Sequence, residues 1–257
     1  MHLRFLHEKA ARYPPSRRSR VRIGNQVSER LFLKPRLAMK NAVENSLIKK
    51  TIPVIGFVGG IGSGKSYLAQ NIAEKHPVDI IDADRIGHEV LTLPEVRAQL
   101  LEKFGDEIFL PTGEVNRRKL GLRVFGPLPC HQAARKDLES IVHPQIREKI
   151  EQRIREIRQA GQSEAVILDA AILLESGWKT SCQALVYVDV PEEERLQRVI
   201  SSRNWTPEEF FAREAQQLPL EYKQVVADYC VNNSSTAPAP HLQVLQIYSN
   251  IMDEFSR

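Results

Sequence analysis

The chain has 257 residues, 42% hydrophobic and 26% charged, with a formal net charge of +4. Those fractions are ordinary for a globular protein and exclude collagenous and low-complexity classes, and no apolar run approaches the roughly 18 residues of a membrane span. Cys130, Cys182 and Cys230 lie far apart, and Arg4 and His7 interrupt the place where a secretory signal needs an apolar core. Free thiols in a reducing, cytoplasmic compartment are therefore expected.

The net charge averages two unlike parts. Residues 1–50 hold 13 Lys and Arg against 3 Glu, whereas the remainder holds 23 basic and 29 acidic side chains. Pro14-Pro15-Ser16-Arg17-Arg18-Ser19-Arg20 has neither helical nor strand periodicity, and only Leu37–Ile48 offers a short helix. Residues 1–50 thus read as a basic, disordered N-terminal extension. Three explanations stay open: contact with nucleic acid or an acidic partner through counterion release, an Arg-rich transit segment, or a true start at Met39. No aromatic pattern accompanies the charge, so no nucleic-acid partner is expected.

From Ile52 the pattern changes. Ile52–Val58 is a nearly continuous apolar run, as in a strand buried on both faces, and Val78–Ile81, Ala165–Leu168, Ala184–Val188 and Tyr229–Val231 repeat it. Helical stretches lie between them at Ser66–Lys75, Pro94–Phe104, Arg117–Phe125, Cys130–Gln159 and Glu192–Ser202, with a last helix from Pro240. Within the longest, His143-Pro144 predicts a break. Strands alternating with helices predict an α/β fold with a five-stranded parallel sheet covered on both faces.

Directly after the first strand, Gly59-Gly60-Ile61-Gly62-Ser63-Gly64-Lys65-Ser66 fits the pattern Gly-x-x-x-x-Gly-Lys-Ser, and a helix follows. Glycines let successive N–H groups turn inward around an anion, and the helix adds the positive end of its dipole. In this arrangement Lys65 reaches the terminal phosphates of a nucleoside triphosphate and the Ser66 hydroxyl ligates Mg²⁺. The second strand ends in Asp82-Ala83-Asp84-Arg85-Ile86-Gly87-His88-Glu89. A carboxylate there faces the crevice where open α/β sheets bind ligands. It could accept a proton from an attacking hydroxyl or cap a helix starting at Arg85; the residues alone leave both open.

These two segments together resemble the dephospho-CoA kinase family. Gly113–Leu120, Ile141-Val142-His143-Pro144, Asp169–Glu175, and the stretch Arg213, Gln217, Lys223, Ala227-Asp228 and Asn233 resemble its later signatures in order and spacing. The resemblance spans residues 52–257. It implies a P-loop nucleoside-triphosphate hydrolase-like three-layer fold over residues 51–257, with a helical substrate-binding insert at about 85–161 and a lid at about 195–213.

The resemblance further implies ATP and Mg²⁺ as cofactors and dephospho-CoA as acceptor, in a monomer or weak homo-oligomer. Asp84 would act as base toward the ribose 3′-hydroxyl and Lys65 would stabilise the transferring phosphoryl group. Gly60, Ile61, Gly62, Ser63, Gly64, Lys65, Ser66 and Tyr67 would form the ATP cradle, and Ser66 with Asp169 would hold the metal. His88, Arg117, His143 and Arg147 fall in the insert that resembles the CoA-binding part. Among the lid arginines, Arg203 is favoured over Arg198 as a phosphate or adenine contact, and Asn233 would border the adenine. Tyr67, Asn116 and Ala171 depart from the family's usual residues without removing a group the chemistry requires.

Overall fold

The fold is described by a computed structural model covering residues 52–126 and 128–256. The basic extension expected over residues 1–50, with the alternatives attached to it, lies outside the described residues. Strand β1 (Val54–Gly59) is buried along its whole length. Its side chains alternate between two apolar layers: Ile55 and Phe57 face one, Val54 and Val58 the other. Such a strand has no solvent face, and it takes the centre of the sheet. The five strands are β1, β2 (Val78–Asp82), β3 (Ala165–Asp169), β4 (Ala184–Asp189) and β5 (Tyr229–Asn232), in the order β2-β3-β1-β4-β5. All four pairings are parallel. This is the expected α/β architecture.

Parallel neighbours need crossovers, and helices supply them on both faces. Helix α1 (Lys65–Ala73) follows β1, and α9 (Pro240–Phe255) closes the described chain. Leu68 and Ile72 of α1 and Val244, Ile247 and Ile251 of α9 pack on the Ile55–Phe57 face. The opposite face carries the insert: α2 (Ala83–Val90), α3 (Pro94–Phe104), α4 (Arg117–Val124) and α5 (Pro129–Ala160). Behind β4 come α6 (Glu192–Arg203), α7 (Pro207–Glu214) and α8 (Leu220–Val226).

Two expectations change. Helix α2 begins at Ala83, and its cap is Asp82, whose carboxylate accepts from Arg85 N at 2.9 Å. Asp84 therefore lies inside the first turn instead of before it. Helix α5 also runs through Pro144 without a break. The ring removes one backbone hydrogen bond at a cost of about 3 kcal/mol. Against that, Val142, Ile146, Ile150, Ile154 and Ile157 form one buried seam on both sides of the proline, each contributing about 1.5–3 kcal/mol. Burial outweighs the missing bond. No helix among the described residues is long and apolar enough to cross a membrane.

Candidate active site

Three strand ends converge at the carboxyl edge of the sheet. In register, Asp169 of β3 lies beside Phe57 of β1 on one side and Asp82 of β2 on the other. The glycine loop leaves β1 here and enters α1 at Lys65. Gly64 takes φ 85°, a left-handed conformation, and a β-carbon there would also meet the Asn233 amide. A β-carbon on Gly60 would run into the Arg195 guanidinium. Both positions need glycine, one for backbone and one for close approach. Helix α1 has no side-chain cap and no acidic residue in its first turn, so its N-terminal N–H groups remain available to an anion.

Lys65 lies across the loop, its Nζ donating to Gly60 O at 3.0 Å and Gly59 O at 3.3 Å. Desolvation lowers its pKa to about 8. The carboxylates of Asp169 and Asp84 oppose that shift, and the cations Lys223 and Arg203 add to it. Ser66 Oγ donates to Asp169 Oδ2. Asp84 is solvent-accessible but crowded. Desolvation raises its carboxyl above the ordinary value, Asp82 and Asp169 raise it further, and Lys65 and His88 pull it back. The candidate base, the cradle lysine and the candidate metal carboxylate thus lie within one electrostatic neighbourhood. Because Asp82 serves as the helix cap, Asp84 keeps its carboxylate for other work.

The insert residues fall into two separate pairs. Arg117 Nη2 lies 2.7 Å from His88 Nε2. A guanidinium can only donate, so Nε2 is the acceptor in this contact. Asn116 caps α4 through Lys119 N at 3.1 Å, doing the work that an Asp does at such a position. His143 packs edge-on against Trp178, ring centroids 6.0 Å apart, and its pKa is lowered by burial. Arg147, one turn later, donates to Gly177 O at 3.3 Å. Among the described residues no hydrogen bond joins this second pair to the first. His143 and Arg147 brace the segment after β3.

Asn233 is buried beneath the loop and its amide donates to Ser63 O at 2.8 Å. Its contacts brace the cradle. Tyr67 sits exposed on α1. Arg198 is spent structurally, bonding Glu194 at 2.7 Å and Asn233 O at 2.7 Å. Arg203 instead lies over Trp205.

Two cations that the sequence places only in the lid stretch and among the later signatures prove to be buried. Arg195, 1% exposed, donates to Val190 O at 3.1 Å and Ile61 O at 3.2 Å and pairs with Glu214, so it fastens α6 and α7 to the cradle. Its alignment with Val199, one turn on along the apolar face of α6, was the available signal. Lys223, 2% exposed, pairs with Glu175 at 3.0 Å and Gln217 at 2.8 Å, while Glu175 also accepts from Leu218 N at 2.8 Å. Nothing local in sequence announces a partner so far away.

A family model described as dephospho-CoA kinase matches residues 53–239. A dephospho-CoA kinase of Carboxydothermus hydrogenoformans is 34% identical over 76% of this chain and 93% of its own. Another, from Bacillus thuringiensis subsp. konkukian, is 36% identical over 78% of this chain and 98% of its own. The crystal structure of TT1252 from Thermus thermophilus superposes with TM-score 0.65 at 28% identity, covering 79% of this chain and 98% of that one. A dephospho-CoA kinase from Campylobacter jejuni shares the fold at TM-score 0.57 and 22% identity, covering 78% of this chain and 97% of that one. The family match takes in the cradle, the insert and the segment behind β4 in one span, and the chain belongs to the dephospho-CoA kinase family.

Proposed function

We propose that the chain transfers the γ-phosphoryl group of ATP to the ribose 3′-hydroxyl of dephospho-CoA, giving CoA and ADP. The observation that carries this assignment is Asp84: a carboxylate relieved of capping by Asp82 and close enough to Lys65 for the two to shift each other's proton affinity. A site that only binds nucleotide has no need of a base at that place.

The N–H groups from Gly60 to Ser66 surround the β- and γ-phosphates, and the Lys65 ammonium balances charge on the group in transfer. Asp84 orients the acceptor hydroxyl and takes its proton; its raised pKa makes it a better base than an ordinary aspartate. The donor set for Mg²⁺ is a hydroxyl and a carboxylate already in contact, Ser66 and Asp169. Such a pair suits a cation that keeps most of its shell as water and phosphate oxygen, and the described residues hold no denser cluster of metal-ligating side chains. When bound there, Mg²⁺ would neutralise phosphate charge. Arg203 and Arg213 would reach the γ-phosphate from the lid, and His88 with Arg117 would contact the acceptor from the insert. Asn233 would border the adenine while bracing Ser63, and His143 and Arg147 would shape the acceptor side through Trp178 and Gly177. A cytoplasmic location and a monomeric or weakly associating state belong to the same proposal.

Purified protein incubated with Mg²⁺, ATP and dephospho-CoA should yield CoA and ADP by mass spectrometry, with Lys65→Ala as blank. Bound ATP without CoA formation would overturn the assignment.

A further inference from the structure

Four arginines come from the segment behind β4, and the structure divides them into two kinds. Arg195 and Arg198 are consumed in ion pairs, with Glu214 and Glu194 respectively. Arg203 and Arg213 form no ion pair with a carboxylate among the described residues, although Glu192, Glu193, Glu208 and Glu209 are nearby in sequence. Both lie instead over the ring of Trp205, their Cζ atoms 5.2 and 4.3 Å from its centroid.

The place of that ring matters. Trp205 is half-buried and packs against the cluster formed by Ile61, Val199 and Phe210. Ile61 is part of the glycine loop, so the indole packs against the same apolar cluster as the cradle. The backbone around it is pinned at both ends. Asn204 closes α6 in a left-handed conformation, φ 54°, and Thr206 opens α7 with a reciprocal cap to Glu209. An indole face attracts a guanidinium without occupying its N–H donors, whereas a carboxylate occupies them. Two like charges sharing one ring, with their donors unspent, form a site whose natural complement is an anion.

We propose that Trp205 is a positioning residue, holding Arg203 and Arg213 over the cradle with their donors free for the phosphates of the nucleotide. The proposal rests on the cradle being the ATP site. It is consistent with the influence of the Arg203 charge on Lys65, and it makes the indole part of the phosphoryl-transfer machinery although it touches no substrate.

The test is kinetic. Trp205→Leu should lower kcat about tenfold with the KM for dephospho-CoA unchanged, and Trp205→Phe, which keeps a π face, should recover most of the loss. In an Arg203→Ala/Arg213→Ala background, Trp205→Leu should cost nothing further, which a general packing defect would not reproduce. An undiminished loss in that background overturns the proposal, as do wild-type rates for Trp205→Leu or for both arginine variants. Wild-type CoA production with Trp205→Leu fully active defeats only the positioning role. Wild-type protein that makes no CoA defeats the underlying assignment. Should Trp205→Leu fail to fold, fluorescence decides: Trp178 and Trp205 are the only tryptophans. A non-hydrolysable ATP analogue with Mg²⁺ should then give a saturable emission change in wild type that Trp205→Phe lacks. No change in wild type overturns the proposal.

Discussion

Asp84 and Lys65 carry opposite shifts, and the pair sets a pH window. Asp84 titrates above the ordinary aspartate value, so activity should rise as pH climbs through the range where it loses its proton. Lys65, lowered to about 8, should lose its charge in the free enzyme above that pH. A plot of kcat/KM for ATP should therefore fall on the alkaline side near pH 8, and Lys65→Arg should remove that limb along with much of the rate. Asp84→Asn should leave ATP binding intact and cut kcat by about 10²–10⁴-fold. The same variant should be slightly more heat-stable at pH 7. A folded-state pKa raised above the unfolded value means that the ionised carboxylate opposes folding, and asparagine removes that opposition. Calorimetry at pH 7 checks the sign, and a lowered melting temperature would contradict it.

At the scale of elements, α5 and the pair α6–α7 invite different tests. Pro144 interrupts the hydrogen bonding of α5 without ending it, so Pro144→Ala should raise the urea midpoint by the equivalent of about 1–3 kcal/mol, with kcat unchanged. Arg195 joins α6 and α7 to the cradle through two carbonyls and Glu214. Arg195→Met should leave Glu214 without its partner and cost about 3–5 kcal/mol, with weaker ATP binding by titration calorimetry as the loop loses its support. Lys223→Met should do the same to Glu175, and adding Glu175→Gln should recover much of the loss because the orphaned charge disappears. Thermal melts of the three proteins decide it.

Across the whole molecule, the parts visible in sequence were those whose signal is local. Ile52–Val58 and Ala184–Val188 announce buried strands because a strand without a solvent face has no polar positions. The glycine loop is legible because its backbone demands and its chemistry occupy eight consecutive residues. Helices α7 and α8 were missed, being short and shaped by what they cap or clamp more than by a periodic apolar face, and α2 starts two residues before the Arg85 that the sequence offered. The cap on α2 fell to Asp82 and not Asp84, since two aspartates two residues apart offer the same propensity and only the strand's end decides between them. The ion pairs of Arg195 and Lys223 are not legible in sequence, because their partners, Glu214 and Glu175, are brought in by the fold. The insert histidines show the same limit: His88 meets Arg117, and His143 meets Trp178, through contacts that spacing alone does not specify.

The central position of β1 has a consequence for how the protein is made. Its neighbours are β3 and β4, with Val54 beside Val166 and Ile55 beside Ala184. On the ribosome the most apolar strand of the sheet emerges first and finds no partner until the whole insert has followed. At ~5–20 residues per second that delay is roughly ten seconds. The nascent chain must shelter Ile52–Val58 for that time, against α1 or in the hands of a chaperone, before any sheet can exist. Stalled chains ending before residue 165 should be cut readily by protease within β1, and chains extended past β4 should resist.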